Sequence, residues 1–255
     1  MNIFRVLKIS KLAGIASFFI NLFLILLIVS TVISAMRLNV TFNGLSMYFE
    51  SGQVHVIANF TVENNGYYEF NDVMARFIIL DPQNNELFDI NHTIGDIPVG
   101  VKHITINFSL PMIFNLVKDE TYILLVSVSG SYAYHLMRLG FRFPNDIPWD
   151  APLDNLTINV KTASISATTA NLTATCTFNS PDNYDYFLTI TMNVYEGDVF
   201  INEVTHSNLL VQHSTKFTDT LWMEVDRGKT YNLIFAFNAT SFFNYTYTIL
   251  EVEVP

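Results

Sequence analysis

The side chains best suited to acid–base, nucleophilic or metal chemistry are six histidines, one cysteine and a few closely spaced acids. No His-x-x-x-His spacing occurs, and Cys176 has no second cysteine, so no zinc pattern is present. Asp182 with Asp185 and Glu196 with Asp198 lie in turns that could hold Ca²⁺, but neither matches an EF-hand loop, and turn formation alone accounts for both. We therefore predict no catalytic residue, no metal site and no cofactor. We interpret as surface residues the histidines His55, His92, His103, His135, His206 and His213.

Eight Asn-x-Ser/Thr triplets are candidate acceptors of N-linked glycans. In a strand the Asn and the Ser/Thr share one face, and the middle residue is mostly apolar, as at Val40, Phe60 and Leu172, so most of these asparagines should face solvent. A polar strand face rich in Asn and Thr also produces such triplets by accident, and their modification requires an archaeal or eukaryotic source. The triplets begin at Asn39, Asn59, Asn91, Asn107, Asn155, Asn171, Asn238 and Asn244.

Three aromatic clusters lie at turns, within residues 66–70, 184–187 and 241–245. Aromatic side chains at the end of a β-sandwich can grip a partner protein or a sugar, and they can equally cap the core under a loop. The candidate partner-binding residues are Tyr67, Tyr68, Tyr184, Tyr186, Phe242 and Phe243.

The run from Leu12 to Met36 contains no charge, and Asn21 is its only strongly polar side chain. A helix of this length spans the roughly 30 Å hydrocarbon core of a bilayer. Three cations precede the run, Arg37 follows it, and no acid occurs before Glu50, so the positive-inside rule places the N-terminus in the cytoplasm. We predict a basic cytoplasmic tail over 1–11, a transmembrane helix over 12–36 in contact with the lipid bilayer, and an extracytoplasmic body.

Two other interpretations of this run remain open. A signal peptide could be cleaved near residues 32–35, although its apolar region normally has about 7–15 residues. A pilin-type leader could end near Lys11-Leu12-Ala13-Gly14, although the basic residue does not adjoin the small pair. All three interpretations export the body.

The body after residue 37 is acidic: it keeps nine of the thirteen Lys and Arg and all 23 Asp and Glu, a net charge of −14. Nucleic acid and anionic membrane surfaces need a positive footprint, so both are excluded as partners of the body. The 22 Phe and 12 Tyr, together with abundant Asn, Thr and Val, are typical of β-structure.

Apolar and polar residues alternate with period two along much of the body, as in 54–62, 104–110 and 156–160. Turn sequences rich in Asn, Asp, Gly and Pro separate these runs, which predicts an all-β fold of antiparallel sandwiches. Cys176 shares the apolar face of its strand, so we expect it to point inward as a small hydrophobic residue.

The body divides into two similar halves, since Thr121–Leu124 in the first corresponds to Thr230–Leu233 in the second. Three prolines fall within 144–153, and proline lacks the backbone donor that a strand interior uses. We predict two tandem immunoglobulin-like antiparallel β-sandwiches, over 37–143 and 154–255, joined by a proline-rich linker over 144–153. Two copies of a generic β pattern would look the same.

The stretch from Val54 to Leu110 resembles late-embryogenesis-abundant type 2 domains. The similarity lies in an alternating strand that enters an Asn-rich turn (Val62–Tyr67), a second strand, an acidic turn and Ile97-Pro98-Val99-Gly100 before another strand. The chain departs from the family's Asn-Pro-Asn turn, and the second half lacks the Ile-Pro-x-Gly element. The resemblance implies an immunoglobulin-like sandwich behind one N-terminal membrane span and implies no catalytic residue.

The sequence thus favours a non-enzymatic structural or binding module at the cell surface, with a protein or glycan partner at the distal sandwich. One alternative is a subunit of a surface filament in which a released N-terminal segment pairs with a neighbour's sheet edge. A further alternative is an exported enzyme without a recognisable motif.

Overall fold

The computed structural model describes residues 3–50, 52–240 and 242–255, with side chains from residue 16 onward except Phe49. Residues 1 and 2 of the predicted cytoplasmic tail and Ser241 of the third aromatic cluster lie outside this set. The described chain forms α1 (Ile3–Ala35) and then β1 (Leu38–Glu50), β2 (Gln53–Asn64), β3 (Phe70–Leu80), β4 (Glu86–Ile97), β5 (Gly100–Pro111), β6 (Glu120–Tyr132), β7 (Met137–Trp149), β8 (Asp154–Ser164), β9 (Thr169–Asn179), β10 (Tyr186–Glu196), β11 (Val199–Val211), β12 (Lys216–Asp226), β13 (Lys229–Ala239) and β14 (Phe243–Val254).

Helix α1 contains a long uncharged segment that is strongly apolar. Its segment Ala16–Ala35 has a mean hydropathy of 2.6, and only 6% of the most apolar part is buried inside the protein. A segment this apolar and this exposed has no charged surface suited to water, which is the pattern of a helix in an apolar environment. These properties fit a membrane anchor and a signal sequence alike.

Strands β1–β7 form the first sandwich from two antiparallel sheets with the orders β1-β2-β5 and β4-β3-β6-β7. The sheets pack face to face: the ring centroids of Phe60 in β2 and Phe77 in β3 are 6.1 Å apart, and those of Phe77 and Phe108 in β5 are 4.8 Å apart. Buried and half-buried residues alternate along β2, so the period-two pattern of the sequence forms the core face.

Strands β8–β14 form the second sandwich, and its sheets, β8-β9-β12 and β11-β10-β13-β14, repeat the order of the first with every number raised by seven. The all-β fold class with two antiparallel sandwiches is confirmed. Cys176 lies in the second core with no exposed surface, and burial raises the pKa of its thiol to about 12.

The two sandwiches also share one detail near the start of an inner strand. Tyr122 in β6 and Tyr231 in β13 occupy equivalent positions, and their hydroxyls accept hydrogen bonds from the backbone N–H groups of Asn115 (2.8 Å) and Asp226 (3.1 Å). A tyrosine that bonds back to the backbone a few residues upstream is a recurrent corner of immunoglobulin-like sandwiches.

The proline-rich linker predicted over 144–153 is shorter than expected. Strand β7 runs through Pro144 and Pro148 to Trp149 and pairs with β6 along its whole length. Because β7 is the edge of its sheet, proline is tolerated there. The connection between the sandwiches is therefore residues 150–153, and the strands of the first sandwich extend to 149.

This connection is tied to both sandwiches. The N–H of Leu153 donates to the carbonyl of Leu116 (2.9 Å), and that of Asn155 donates to the carbonyl of Val117 (3.0 Å). Met112 and Leu116, in the β5–β6 loop, pack against both cores. The sandwiches are thus held end to end by apolar and hydrogen-bonded contacts.

Candidate functional site

The end of α1 is built into the first sandwich through a buried polar network that we call the anchor junction, consisting of Ser34, Asn64, Gly66, Tyr68 and Tyr132. Ser34 has no exposed surface, its Oγ accepts the N–H of Tyr67 (2.5 Å), and it shares a 2.8 Å hydrogen bond with the hydroxyl of Tyr132. Each polar group in such a network must be paired, because an unpaired buried group costs about 1–3 kcal/mol.

Asn64 completes the anchor junction from the end of β2. Its Oδ1 accepts the Tyr132 hydroxyl (3.2 Å) and the N–H of Gly66 (3.3 Å), and its Nδ2 donates to the carbonyl of Tyr68 (2.8 Å). One side chain therefore holds the strand end, the β2–β3 turn and the end of β6 together beneath the helix.

Glycine is required at position 66 because the helix approaches the turn closely. A Cβ there would lie 2.0 Å from the Tyr132 hydroxyl, 2.5 Å from Ser34 Oγ and 2.7 Å from the Ser34 carbonyl. Real Cβ contacts are not this short, so a larger residue must push the helix away.

Exposed aromatic and aliphatic side chains surround the anchor junction and form what we call the tyrosine rim, consisting of Tyr67, Val99, Tyr134 and Leu136. These side chains are 52–81% exposed, with Tyr134 at the upper limit. The guanidinium carbon of Arg37 lies 5.4 Å from the ring centre of Tyr67, within the range of a cation–π contact. The rim borders a cleft of about 720 Å³ that also contains Glu69, Asp72 and Asp96.

The aromatic residues proposed as partner-binding in the second sandwich are positioned differently. Tyr186, Phe242 and Phe243 are at most 9% exposed, and Tyr184 is half-buried. The hydroxyls of Tyr184 and Tyr186 donate to the backbone carbonyls of Asp150 (3.3 Å) and Pro152. These four side chains close the end of the second sandwich against the connecting segment, so the interpretation of them as a partner surface is corrected.

Four aspartates also lie at the connection between the sandwiches, and three of them accept hydrogen bonds from backbone N–H groups. Asp119 Oδ1 accepts the N–H of Ala151 (2.7 Å), Asp150 Oδ2 accepts that of Asp182 (2.5 Å), and Asp154 Oδ1 accepts that of Asp119 (3.4 Å). Burial, reinforced by its acidic neighbours, raises the pKa of Asp150. Among the residues that the structure describes, no group of three or more His, Cys, Asp or Glu is placed to hold a metal ion.

His55, His206 and His213 pair with separate partners in different parts of the fold. His206 bridges β11 to Asp219 in β12 (2.9 Å), and His213 contacts Asp185 (2.6 Å) in neighbouring turns. His55 on β2 shares a 2.9 Å hydrogen bond with Ser109 on β5. The pairs join adjacent strands or turns, which is a structural use of histidine.

Six of the eight sequon asparagines are exposed, and Asn59 and Asn171 are half-buried. The middle residues Val40, Phe60 and Leu172 are buried as expected, whereas His92 in the Asn91 triplet is exposed. Glycosylation itself stays a prediction.

The anchor junction was not anticipated from the sequence, although a signal for it exists. Ser30, Thr31 and Ser34 stand at i, i+1 and i+4 near the end of the apolar run and so share one helix face. Thr31 is 3% exposed and Ser34 fully buried, whereas the apolar residues beside them are exposed. Small polar residues on one face of an apolar helix indicate packing against protein.

No family model matches the chain, and no curated protein matches it. The resemblance to late-embryogenesis-abundant type 2 domains is therefore unsupported beyond the sandwich fold.

Similarities to solved structures are weak. A red sea bream transglutaminase is 14% identical with a TM-score of 0.33 over 84% of this chain and 31% of its own. A DUF3823 family protein from Bacteroides ovatus is 13% identical with a TM-score of 0.28 over 75% of this chain and 93% of its own. An Amycolatopsis orientalis exo-chitosanase is 10% identical with a TM-score of 0.27 over 80% of this chain and 26% of its own. The chain thus spans about a third or less of the two enzymes, and these similarities assign no activity or partner to it.

Proposed function

We propose that this protein is a single-pass membrane protein that displays two β-sandwiches outside the cell as a non-enzymatic structural or binding module. The uncharged helix, the three cations before it and the acidic body after it support an N-terminus in the cytoplasm. In this proposal the helix anchors the protein in the membrane, and the first sandwich acts as a spacer. The second sandwich presents its far end to a partner.

The observation that carries this proposal is the burial of Ser34 in the anchor junction. Cleavage near residues 32–35 would remove Thr31 and part or all of the contact that Ser34 makes with Tyr132 and the Tyr67 amide. A discarded signal sequence has no need of such packing, whereas a retained anchor gains a defined attachment from it. The contact therefore supports an anchor over a cleaved signal.

The far end of the second sandwich is the proposed contact surface for a protein or glycan. The turns β8–β9, β10–β11 and β12–β13 lie there, opposite the connecting segment. Ile165 and the run Val199–Ile201 expose 43–64% of their surface, and exposed apolar side chains that cluster commonly mark interaction sites.

The filament alternative has less support. It requires a released N-terminal segment that pairs with a neighbour's sheet edge, but β1, the first strand after the helix, already pairs with β2 of its own sandwich from Leu38 to Glu50.

Labelling of the chain in intact cells tests the proposal. An Ile165→Cys variant should react with a membrane-impermeant maleimide and remain in the membrane pellet after alkaline carbonate extraction. The matched control is the unmodified chain, whose Cys176 is fully buried and should stay unlabelled. Release by carbonate, or labelling of Ile165→Cys only after lysis, would refute the proposed anchoring or orientation.

A further inference from the structure

We infer that the tyrosine rim rests in the outer interface of the same bilayer that the helix crosses, so that the first sandwich stands on the membrane in a fixed orientation. This inference depends on the proposed function, because it requires α1 to be a membrane anchor. The occupant of the rim is the lipid headgroup layer around the anchor.

The first line of evidence is depth. The hydroxyl of Tyr68 lies 2.9 Å from Ser30 Oγ, and the ring centres of Tyr68 and Tyr134 are 6.0 Å apart. Ser30 precedes the helix end at Ala35 by five residues, which is about 7.5 Å along the axis. Tyr68 therefore extends beside the last turn and a half of the helix, and Tyr134 packs against its ring.

The length of the apolar run agrees with this depth. The uncharged run Leu12–Met36 would be about 37 Å long as a helix, whereas the hydrocarbon core is roughly 30 Å thick. The excess of about 7 Å equals the length of helix that Tyr68 flanks. When the rest of the run fills the hydrocarbon, the hydroxyl of Tyr68 therefore stands at its outer boundary, with Tyr134 next to it.

The chemistry of the rim is that of a membrane interface. Tyrosine is enriched at this level because its ring is apolar and its hydroxyl is wet, and Arg37 can extend its charge to the headgroups. Val99 and Leu136 add 52% and 59% exposed aliphatic surface on the neighbouring turns. The acids of the cleft beside the rim, Glu69, Asp72 and Asp96, favour zwitterionic over anionic headgroups.

The backbone conformation of the β6–β7 turn indicates that Tyr134 is held in a fixed position. Ala133, Tyr134 and His135 all have φ between 52° and 65°, a left-handed conformation that is unfavourable for non-glycine residues. Such conformations persist where the surrounding structure holds them, and they concentrate at functional sites. Here the result is that Tyr134 projects outward with 81% of its surface exposed.

Lipid-borne quenching in reconstituted vesicles tests the inference. The full chain is reconstituted in phosphatidylcholine vesicles containing doxyl-labelled phosphatidylcholine, with the fluorophore NBD on one introduced cysteine at a time: Leu136→Cys at the rim, Phe23→Cys in the helix and Ile165→Cys at the far end. The buried Cys176, whose thiol pKa is raised to about 12, should stay unlabelled.

We expect quenching at Leu136 to be at least about threefold stronger than at Ile165, and strongest with the doxyl group near the headgroup. Adding Tyr67→Ser and Tyr134→Ser should lower the Leu136 signal towards that of Ile165, and both residues are exposed enough for the fold to tolerate the change.

The outcomes separate the two proposals. Quenching at Phe23 with Leu136 no more quenched than Ile165 would overturn the rim contact and leave the anchor intact. An unquenched Phe23 would overturn both. An unchanged Leu136 signal in the double tyrosine variant would overturn the role given to the tyrosines.

Discussion

The β2–β3 turn of the first sandwich and the β9–β10 turn of the second occupy equivalent positions. Each turn is hydrogen-bonded to the segment that precedes its sandwich, which is α1 in the first and the connecting segment in the second. In the first, the hydroxyl of Tyr68 bonds to Ser30 of α1. In the second, the hydroxyls of Tyr184 and Tyr186 donate to backbone carbonyls within residues 150–153. The same position in the fold thus carries the same kind of attachment.

The two ends differ in what covers their aromatic side chains. Around the second attachment, Tyr186 and Phe242 are 8% and 9% exposed, because the connecting segment and the first sandwich lie over them. Around the first, Tyr67 and Tyr134 are 62% and 81% exposed. Protein covers one end, and we propose that lipid covers the other.

Truncating one aromatic residue at each end should give the largest difference. Phe243→Ala should lower the free energy of unfolding of the second sandwich by about 3–5 kcal/mol, because it leaves a cavity in a buried cluster. Tyr67→Ala should change the stability of the first by less than about 0.5 kcal/mol in detergent. Urea denaturation measures both, and equal losses would contradict the contrast in burial.

A methyl group inserted beneath the helix tests how closely α1 is packed. Gly66→Ala should cost about 1–3 kcal/mol, because the added Cβ meets Ser34 and Tyr132. Gly140→Ala is the matched control, since the nearest atom to its Cβ is 3.9 Å away. Thermal melting compares the two, and a Gly66→Ala variant as stable as the control would mean that the helix end is not docked.

Removing one tyrosine hydroxyl at each end sharpens the parallel between the attachments. Tyr186→Phe should cost about 1 kcal/mol and Tyr132→Phe at least as much, because Tyr186 loses one buried hydrogen bond and Tyr132 loses those to Ser34 and Asn64, while both rings keep their packing. Denaturant titration measures the pair. A loss at Tyr186 alone would show that the helix attachment contributes nothing to stability.

The smallest expected effect is a pH dependence at the second attachment. Burial raises the pKa of Asp150 in the folded protein above its ordinary value, so its ionised form disfavours folding, and this penalty disappears as the pH falls through the folded pKa. Asp150→Asn should therefore melt slightly higher at pH 7, and its advantage should vanish in the acidic range near the ordinary pKa of an aspartate. An advantage that is independent of pH would point to a cause other than charge.

The strands were predictable because their signal is local. The alternating runs at 54–62, 104–110 and 156–160 lie in β2, β5 and β8, since period-two patterning places one face in a core. The linker prediction over 144–153 was too long because the effect of a proline depends on whether its strand is central or at an edge. Pro144 and Pro148 lie on β7, and only the topology of the sheet makes β7 an edge strand.

The contrast between the aromatic clusters could not be predicted, because it depends on contacts distant in sequence. Tyr184 and Tyr186 bond to a segment more than thirty residues away in sequence, and Ser34 meets Tyr132 across 98 positions. The small polar face of α1 can be recognised in the sequence and indicates packing against protein. The sequence does not reveal which turn of the sandwich this face contacts.

The intact mass of the mature chain, extracted from the membranes of cells that produce it, tests the central claim most directly. If the helix end is a permanent part of the first sandwich, the mass should include residues 12–36, with Ser34 retained in the anchor junction. A mature chain that begins within or after residues 32–37 would contradict the account, because the anchor and its attachment would then be absent from the working protein.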